Sequence, residues 1–262
     1  MTRDLHRNLK HPASPLRTVL GRPYAGGVEV AALFALYAVY ELIRGFGSAS
    51  FDAAQAHTDA IVSLERRLHV FAESGIQDWA SSIPFLPGLL GLAYIILHLA
   101  ATSAVLVWVY RSRRAHFAVV RTSLVISTAI ALVVYVVYPA APPRLAGLGF
   151  ADTVTDQAHV NLSSDLLGSF YNPFAAVPSL HFGYALLVGL VVARLARNRV
   201  ARAAGALYPA FMLFTIVATG NHFVFDAAAG GIVTVAGFIV ARRLAEPRSS
   251  ARPPVAVAAA PC

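Results

Sequence analysis

The stretch NPFAAVPSLHFGYALL, Asn172 to Leu187, joins a polar cluster to a long apolar run. Pro178, Ser179 and His181 stand where the run begins, and the residues that follow, up to Ala193, are almost all apolar. A run of this kind is typical of a helix in a membrane. Ionisable side chains are costly at membrane depth and usually serve a function there. The stretch therefore predicts a membrane helix that begins with a functional histidine.

The composition of the whole chain indicates an integral membrane protein. Of its 262 residues, 57% are hydrophobic and 13% are charged, and this charged share is about half that of an ordinary soluble domain. The net charge of +8 would also suit a nucleic-acid-binding protein. The arginines are scattered over several loops, however, so no nucleic-acid partner is expected.

Six apolar segments are long enough to cross or nearly cross a bilayer, which takes about 20 residues. These segments are Val28–Ile43, Leu86–Tyr110, Thr122–Tyr138, Ser179–Ala193, Ala203–Thr219 and Phe223–Ala241. All but four of the 21 Lys and Arg residues then lie on the side of the N-terminus, which the positive-inside rule assigns to the cytoplasm. The expected fold is an all-α integral membrane protein with six transmembrane helices.

The six segments divide the chain into three parts. These are a basic cytoplasmic tail, residues 1–27, a six-helix transmembrane catalytic domain, residues 28–243, and a disordered cytoplasmic tail, residues 244–262. The last part is rich in alanine, proline and arginine and has too few large apolar residues to form a core. The plasma membrane is the expected location, with both termini in the cytoplasm.

The segment between the first two spans predicts an amphipathic helix in the outer interface, with Trp79 as an anchor. Its apolar residues recur at helical spacing: Ile61, Leu64, Leu68 and Phe71. Its charged residues fall mostly elsewhere on the helical wheel: Asp59, Glu65, Arg66 and Glu73. A small cap domain is the alternative for this segment.

Ionisable residues gather at the outer ends of the spans. The loop after the third span carries Arg144, and the fourth span opens with Ser179 and His181. The fifth and sixth spans meet at TGNHFVFD, which carries His222 and Asp226. With alternating spans all three stretches face the same, outer side, so one site is expected there.

His222 and Asp226 are four residues apart and would share one face of a helix. A carboxylate in that position accepts a hydrogen bond from one imidazole nitrogen, and this fixes the tautomer. The other nitrogen then becomes a better nucleophile or base. The alternative is a pair that only satisfies its own hydrogen bonds between helices.

The sequence VPSLH predicts an anion site at the start of the fourth span. Proline suits the first turn of a helix, and the N–H groups of Ser179, Leu180 and His181 would then be free to bind an anion. Arg144 follows two prolines, and its guanidinium suits phosphate oxygens. Alone, His181 could be a capping residue and Arg144 a solvated one. Together with His222 and its aspartate, they describe a site for phosphoryl transfer that uses no metal and no cofactor.

Two further residues lie within the second span. Tyr94 and His98 are four positions apart and could reach the same cavity or bond to another helix. Tyr94 and His98 are candidates for binding the substrate, and so is Asn221, which directly precedes His222.

These motifs resemble the type 2 phosphatidic acid phosphatase superfamily. PSLH is followed, 41 positions after its histidine, by the histidine of GNHFVFD. The stretches YPAAPPR, NPFAAVPSLHFGYAL and TGNHFVFDAAAGG are similar to the branch related to inositol phosphorylceramide synthase. LERRL at Leu64–Leu68 and YIILH at Tyr94–His98 also resemble that branch, and the likeness covers roughly residues 28–243.

The resemblance implies a role for each candidate residue. His222 would be the nucleophile and form a phosphohistidine, and Asp226 would orient it. His181 would protonate the leaving alkoxide and later activate the acceptor. Arg144, Ser179 and the main-chain N–H groups, including that of Leu180, would hold the phosphoryl oxygens. A six-helix fold with an outward-facing site is also implied.

The sequence departs from the phosphatase pattern in two places. That pattern has a lysine before the arginine of its first motif, whereas the only lysine here is Lys10. It also has an arginine six residues before the nucleophilic histidine, where this chain has Ile216. Fewer cations favour a phosphodiester or a less charged head group as the substrate.

The expected function is that of a membrane phosphatase or phosphotransferase acting on a lipid phosphate or phospholipid head group at the outer leaflet. The acceptor is either water or a polar alcohol such as inositol, and no motif decides between them. The expected partner is therefore a membrane lipid, and the oligomeric state is left open. The alternative is a proton-coupled transporter or channel that uses buried histidines.

Overall fold

A computed structural model of the chain describes residues 27–32, 34–35, 38–39, 51–156 and 172–246. Helices make up 80% of these residues, and they contain no strand. The prediction of an all-α protein is therefore confirmed. Four helices of the described part are long and apolar enough to cross a membrane, which agrees with a membrane protein.

We label the longer helices of the described part in chain order. They are α1 Phe51–Arg67, α2 Glu73–Ser81, α3 Leu86–Ser112, α4 Arg114–Val137, α5 Leu180–Leu195, α6 Arg199–Ala218 and α7 Val224–Ala245. One π-helical turn, Ala93–Leu97, interrupts α3. Single helical turns also occur at Pro143–Leu145 and Thr153–Asp156.

The helices long enough to cross a membrane are α3, α4, α6 and α7, and α5 is a shorter apolar helix. They cover the second to sixth predicted segments. The first segment, Val28–Ile43, lies partly outside the described residues. The residues of this segment that the structure describes, all before residue 40, are helical. Residues 1–26 and 247–262, which make up most of the two predicted tails, also lie outside the described residues.

The third predicted span begins earlier than expected, at Arg114 instead of Thr122. Arg121, which we expected in a cytoplasmic loop, is therefore part of α4. Its guanidinium donates to the carboxylate of Glu29 at 2.7 Å, and both side chains are buried. A charge in such a position needs a partner because the interior solvates it poorly, and Glu29 supplies that partner.

Close packing at α7 brings the start of α5 against the last helix. The α5 helix packs against α6 and α7, and α7 packs in turn against α4. At Gly230 of α7, a side-chain carbon would collide with the main-chain carbonyl of Ser179. Only glycine lets the two backbones approach this closely. The contact sets the position of the residues at the beginning of α5 relative to those at the beginning of α7.

The segment between the first two predicted spans differs from the expected single helix. It forms α1 and α2, which are separated by a turn in which His69 has a φ of 57°. One face of α1 packs on loops at the end of the bundle, where Ile61 contacts a buried cluster that includes Phe223. Leu64 and Leu68 are 40% and 61% exposed. The segment thus covers one end of the bundle, as in the cap alternative, and it still presents apolar side chains outward.

Candidate functional site

The three sequence stretches that carry candidate residues meet at one end of the bundle. Arg144 lies after α4, His181 lies in the first turn of α5, and His222 lies between α6 and α7. The ring centroids of His181 and His222 are 5.8 Å apart, and the Nε of Arg144 donates to the Oδ1 of Asn221 at 2.9 Å. Residues that are far apart in the sequence therefore form one cluster.

His222 is held by Asp226. Its Nδ1 lies 3.2 Å from the Oδ2 of Asp226, and the aspartate is fully buried. The pair does not share a helix face as we expected, because α7 begins only at Val224. Instead, Asp226 lies in the first turn of α7 and reaches back, also accepting the N–H of Phe223 at 2.9 Å. A carboxylate beside Nδ1 favours the tautomer with its proton on Nδ1, so Nε2 keeps its lone pair.

His181 lies in a stack of rings. Tyr94 stacks on it with the centroids 4.1 Å apart, and the His98 ring lies 4.4 Å away. Tyr94 belongs to the π-helical turn of α3, a distortion that often occurs at functional sites. Both residues of the second predicted pair are therefore at the site. The rings fix the plane of the His181 imidazole.

His98 closes a row of three imidazoles that runs through His181 to His222. Its Nδ1 is buried and has no hydrogen-bond partner among the described residues. Its ring also stacks with Tyr184 at 5.6 Å. A buried, unpaired nitrogen is costly in a packed interior, so this atom is well placed to bind a ligand.

The start of α5 differs from its prediction. Pro178 lies before the helix, and Ser179 is the N-cap, whose Oγ accepts the N–H of Phe182 at 3.4 Å. The N–H of Ser179 is not free, because it donates to the main-chain carbonyl of Asp226 at 2.9 Å. The N–H groups of Leu180 and His181 have no acceptor within the helix, as in any first turn. Of the predicted donors, those two can still face a phosphate.

Arg144 is positioned by the loop that carries His222. Its main-chain N–H donates to the carbonyl of Gly220 at 3.0 Å, and its Nη1 lies 3.3 Å from Asp152. Asn221, a candidate for substrate binding, uses its Oδ1 for Arg144 and donates to Thr219 Oγ1 at 2.9 Å. In this structure the amide therefore orients the guanidinium, and the guanidinium lies next to the His222 loop.

Ile216 occupies the position where the phosphatase pattern has an arginine. Its side chain is fully buried in an apolar cluster. Its carbonyl accepts the N–H groups of both Asn221 and His222, each at 3.1 Å. This position stabilises the turn before His222 and places no cation in the site.

Sequence reasoning missed two glutamates, which we had assigned to the polar face of an amphipathic helix. Glu65 of α1 and Glu73 of α2 are both buried. Glu73 accepts the N–H of Val224 at 2.9 Å, and Glu65 accepts that of Phe225 at 2.6 Å. No local pattern indicates this role, because the partners are more than a hundred residues away along the chain.

Burial raises the pKa of the Glu65 carboxyl to about 8, and the adjacent Glu73 carboxyl adds to the increase. The N–H of Phe225 acts in the opposite direction. Glu65 therefore keeps its proton to a higher pH than an ordinary surface glutamate does. The acidic cluster next to His222 carries less negative charge than its count of carboxyl groups implies.

A family model described as the PAP2 superfamily matches residues 59–240. This range covers more than half of the chain and includes all nine candidate residues and both glutamates. Neither a curated protein nor a solved structure matches the chain.

Proposed function

Because the chain belongs to the PAP2 superfamily, whose members are phosphatases, we propose that it is a metal-independent histidine phosphatase or phosphotransferase of lipid-linked phosphate. The observation that carries the proposal is the pair of imidazoles, His181 and His222, 5.8 Å apart with Asp226 behind the second. Such a pair provides a nucleophile and an acid on two sides of one small space. The family match alone supports phosphatase or phosphotransferase activity in general.

In the first step of the proposed reaction, Nε2 of His222 attacks the phosphorus. The bond from phosphorus to the leaving oxygen breaks, and His181, in its protonated form, donates a proton to that oxygen. Asp226 holds Nδ1–H of the nucleophile and stabilises the positive charge that develops on the ring. The products are a phosphohistidine and the free alcohol.

In the second step, His181 acts as a base. It removes a proton from the acceptor hydroxyl, whose oxygen attacks the phosphorus and breaks the phosphorus–nitrogen bond. His222 is released, and His181 is again protonated. The stack with Tyr94 and His98 keeps the ring of His181 in one orientation for both proton transfers.

The phosphoryl oxygens would be held by Arg144 and by the N–H groups of Leu180 and His181. The start of α5 carries a partial positive charge from the helix dipole, which favours an anion. Donors that are already in position stabilise the charge that moves onto these oxygens in the transition state. Ser179 holds the start of α5 against α7, since its own N–H donates to the main-chain carbonyl of Asp226.

We propose that the cluster faces the outside of the plasma membrane. If the helical residues before 40 and the short helix α5 both cross the bilayer, six spans result, and both termini lie in the cytoplasm. The positive-inside distribution supports this orientation. The exposed Leu64, Leu68 and Trp79 would then lie in the outer interface, so that α1 and α2 border the path of a lipid.

The substrate proposed for this site is a lipid with a phosphate or phosphodiester head group. The guanidinium of Arg144 lies at the site, and a buried Ile216 takes the position of a second cation. This low positive charge suits a phosphate that carries less negative charge. The motifs shared with the inositol phosphorylceramide synthase branch support a polyol acceptor, while water would give a phosphatase. A chromatographic comparison of lipids from cells with and without the protein would identify the substrate.

One observation favours the alternative of proton-coupled transport. The row of three imidazoles, with centroid distances of 4.4 Å and 5.8 Å, has the form of a proton relay. A transporter, however, needs polar groups through the membrane depth. His181 and His222 lie at the starts of α5 and α7, and His98 alone of the three lies near the middle of a helix, α3. Catalysis therefore explains the arrangement better.

Vanadate is expected to inhibit the protein, because it mimics a phosphoryl group bound between the two histidines. The measurement is the release of inorganic phosphate or head group from a lipid phosphate by the purified protein in detergent. Inhibition should be competitive with the lipid, and a chloride salt at the same ionic strength should have no effect. Turnover that vanadate leaves unchanged would contradict the proposed pocket.

A further inference from the structure

The first turn of α7 has its main-chain donors capped by three different carboxyl groups. The N–H of Phe223 donates to Asp226, that of Val224 to Glu73 and that of Phe225 to Glu65. Donors at the beginning of a helix have no acceptor within it, and a single N-cap residue usually satisfies only one of them. Here α1 and α2 each contribute a side chain, so the covering segment is bonded directly to the helix that follows His222.

Glu65 and Glu73 lie side by side at the first turn of α7. Each uses Oε1 for a main-chain N–H, and the Oε2 atoms of both are buried without any other partner among the described residues. The two carboxyl groups are close to each other, because they bind consecutive N–H groups, those of Val224 and Phe225. One proton shared between the two Oε2 atoms would satisfy both, whereas two ionised carboxylates would repel each other and leave both atoms unsatisfied.

We propose that Glu65 and Glu73 share one proton and act together as positioning residues, which hold the first turn of α7 and thereby keep His222 and Asp226 in place. This inference rests on the proposed function of His222 as the nucleophile. The loop with His222 has no regular helix of its own, and its next residues are the ones that the glutamates bind. Loss of the shared proton would place two negative charges next to Asp226 and weaken that hold.

The direction of the pH effect follows from the groups that face Glu65. Glu73 on α2 and Asp226 on α7 both act on it and disfavour its ionised form. Arg66, its neighbour on α1, lies over the ring of Phe71. A carboxyl whose pKa in the folded protein is about 8 binds its proton more tightly than in the unfolded chain. Stability should therefore fall as the pH rises from the ordinary carboxyl range to about 8.

The test compares Glu65→Gln with the wild type and with Asp59→Asn, an exposed carboxylate on the same helix. Glutamine keeps a donor for Glu73 and an acceptor for Phe225, but it cannot lose a proton. The midpoint of thermal unfolding in detergent, measured at several pH values, should fall towards alkaline pH in the wild type and in Asp59→Asn. The Glu65→Gln variant should lack most of this fall.

Turnover provides the second measurement. Glu65→Gln should keep wild-type kcat at neutral pH, and its alkaline loss of activity should begin about one pH unit higher or more. Glu65→Ala, which removes the cap, should lower kcat by about 10- to 100-fold with little change in KM. An unfolding profile of Glu65→Gln identical to that of the wild type, or a wild-type kcat for Glu65→Ala, would overturn the inference.

The two proposals fail in different ways. A wild type that unfolds with the expected pH dependence but releases no phosphate would contradict the proposed function and leave the shared proton supported. An active wild type whose pH dependence survives in Glu65→Gln would contradict the shared proton and leave the function supported.

Discussion

Replacing His222 by alanine should reduce kcat on a lipid phosphate about a thousandfold or more, because the variant has no nitrogen to form the covalent intermediate. Among the residues that the structure describes, the imidazole makes one hydrogen bond, to Asp226, and that carboxylate keeps its bond from the N–H of Phe223. The variant should therefore fold. Its thermal unfolding midpoint in detergent and its phosphate release are measured together.

His116→Ala is the matched control for this prediction. It also removes an imidazole, but from an exposed position near the start of α4. Its kcat should equal that of the wild type within about twofold, as for most exposed positions away from a site. Comparable turnover by His222→Ala and the wild type would remove the nucleophile from the mechanism.

Replacing His181 by alanine should reduce kcat on an alkyl phosphate by about a hundredfold to ten-thousandfold, the range for a general acid. The loss depends on the leaving group. A nitrophenolate leaves without a proton, so nitrophenyl phosphate should still be cleaved once per protein molecule. Stopped-flow absorbance should then show a burst of nitrophenolate followed by slow turnover, because the second step has lost its base.

This burst separates two roles of the same histidine. A residue that only supports the fold would affect both substrates equally, and no burst would appear. Equal losses on the alkyl and the nitrophenyl substrate would therefore contradict proton transfer by His181. Tyr94→Phe offers a comparison, since it keeps the ring that stacks on His181.

The fold was predictable where the signal was local. Runs of apolar residues set the positions of α3, α4, α6 and α7, since a bilayer requires about 20 such residues in succession. Their ends were less certain. Arg121, for example, belongs to α4 although its charge suggested a loop, because the carboxylate of Glu29 that offsets its burial lies far away in the sequence.

The part of the candidate site that was predictable is the proximity of helix ends that lie on the same side of the membrane. Alternating spans place the start of α5 beside the start of α7, so the proximity of His181 and His222 followed from the order of the segments. The details did not follow. Ser179 donates its N–H to Asp226 instead of to a ligand, because the close contact at Gly230 brings the two helices together.

The role of Glu65 and Glu73 could not be derived from the sequence. Both residues have the spacing of an ordinary polar helix face. Their role as hydrogen-bond acceptors depends on the position of the first turn of α7 in the folded protein. Tyr94 and His98 are an intermediate example. Their spacing showed that they share a face of α3, but whether that face meets His181 depended on how the helices pack.

The central claim is that His222 carries the phosphoryl group during the reaction. Its most direct test is to mix the protein with a ³²P-labelled lipid phosphate, quench in alkali and locate the label by mass spectrometry of peptides. We expect label that is stable in alkali and labile in acid, on His222 in the wild type and absent from His222→Ala. Label on another residue, or none under conditions where the wild type turns over substrate, would contradict the claim.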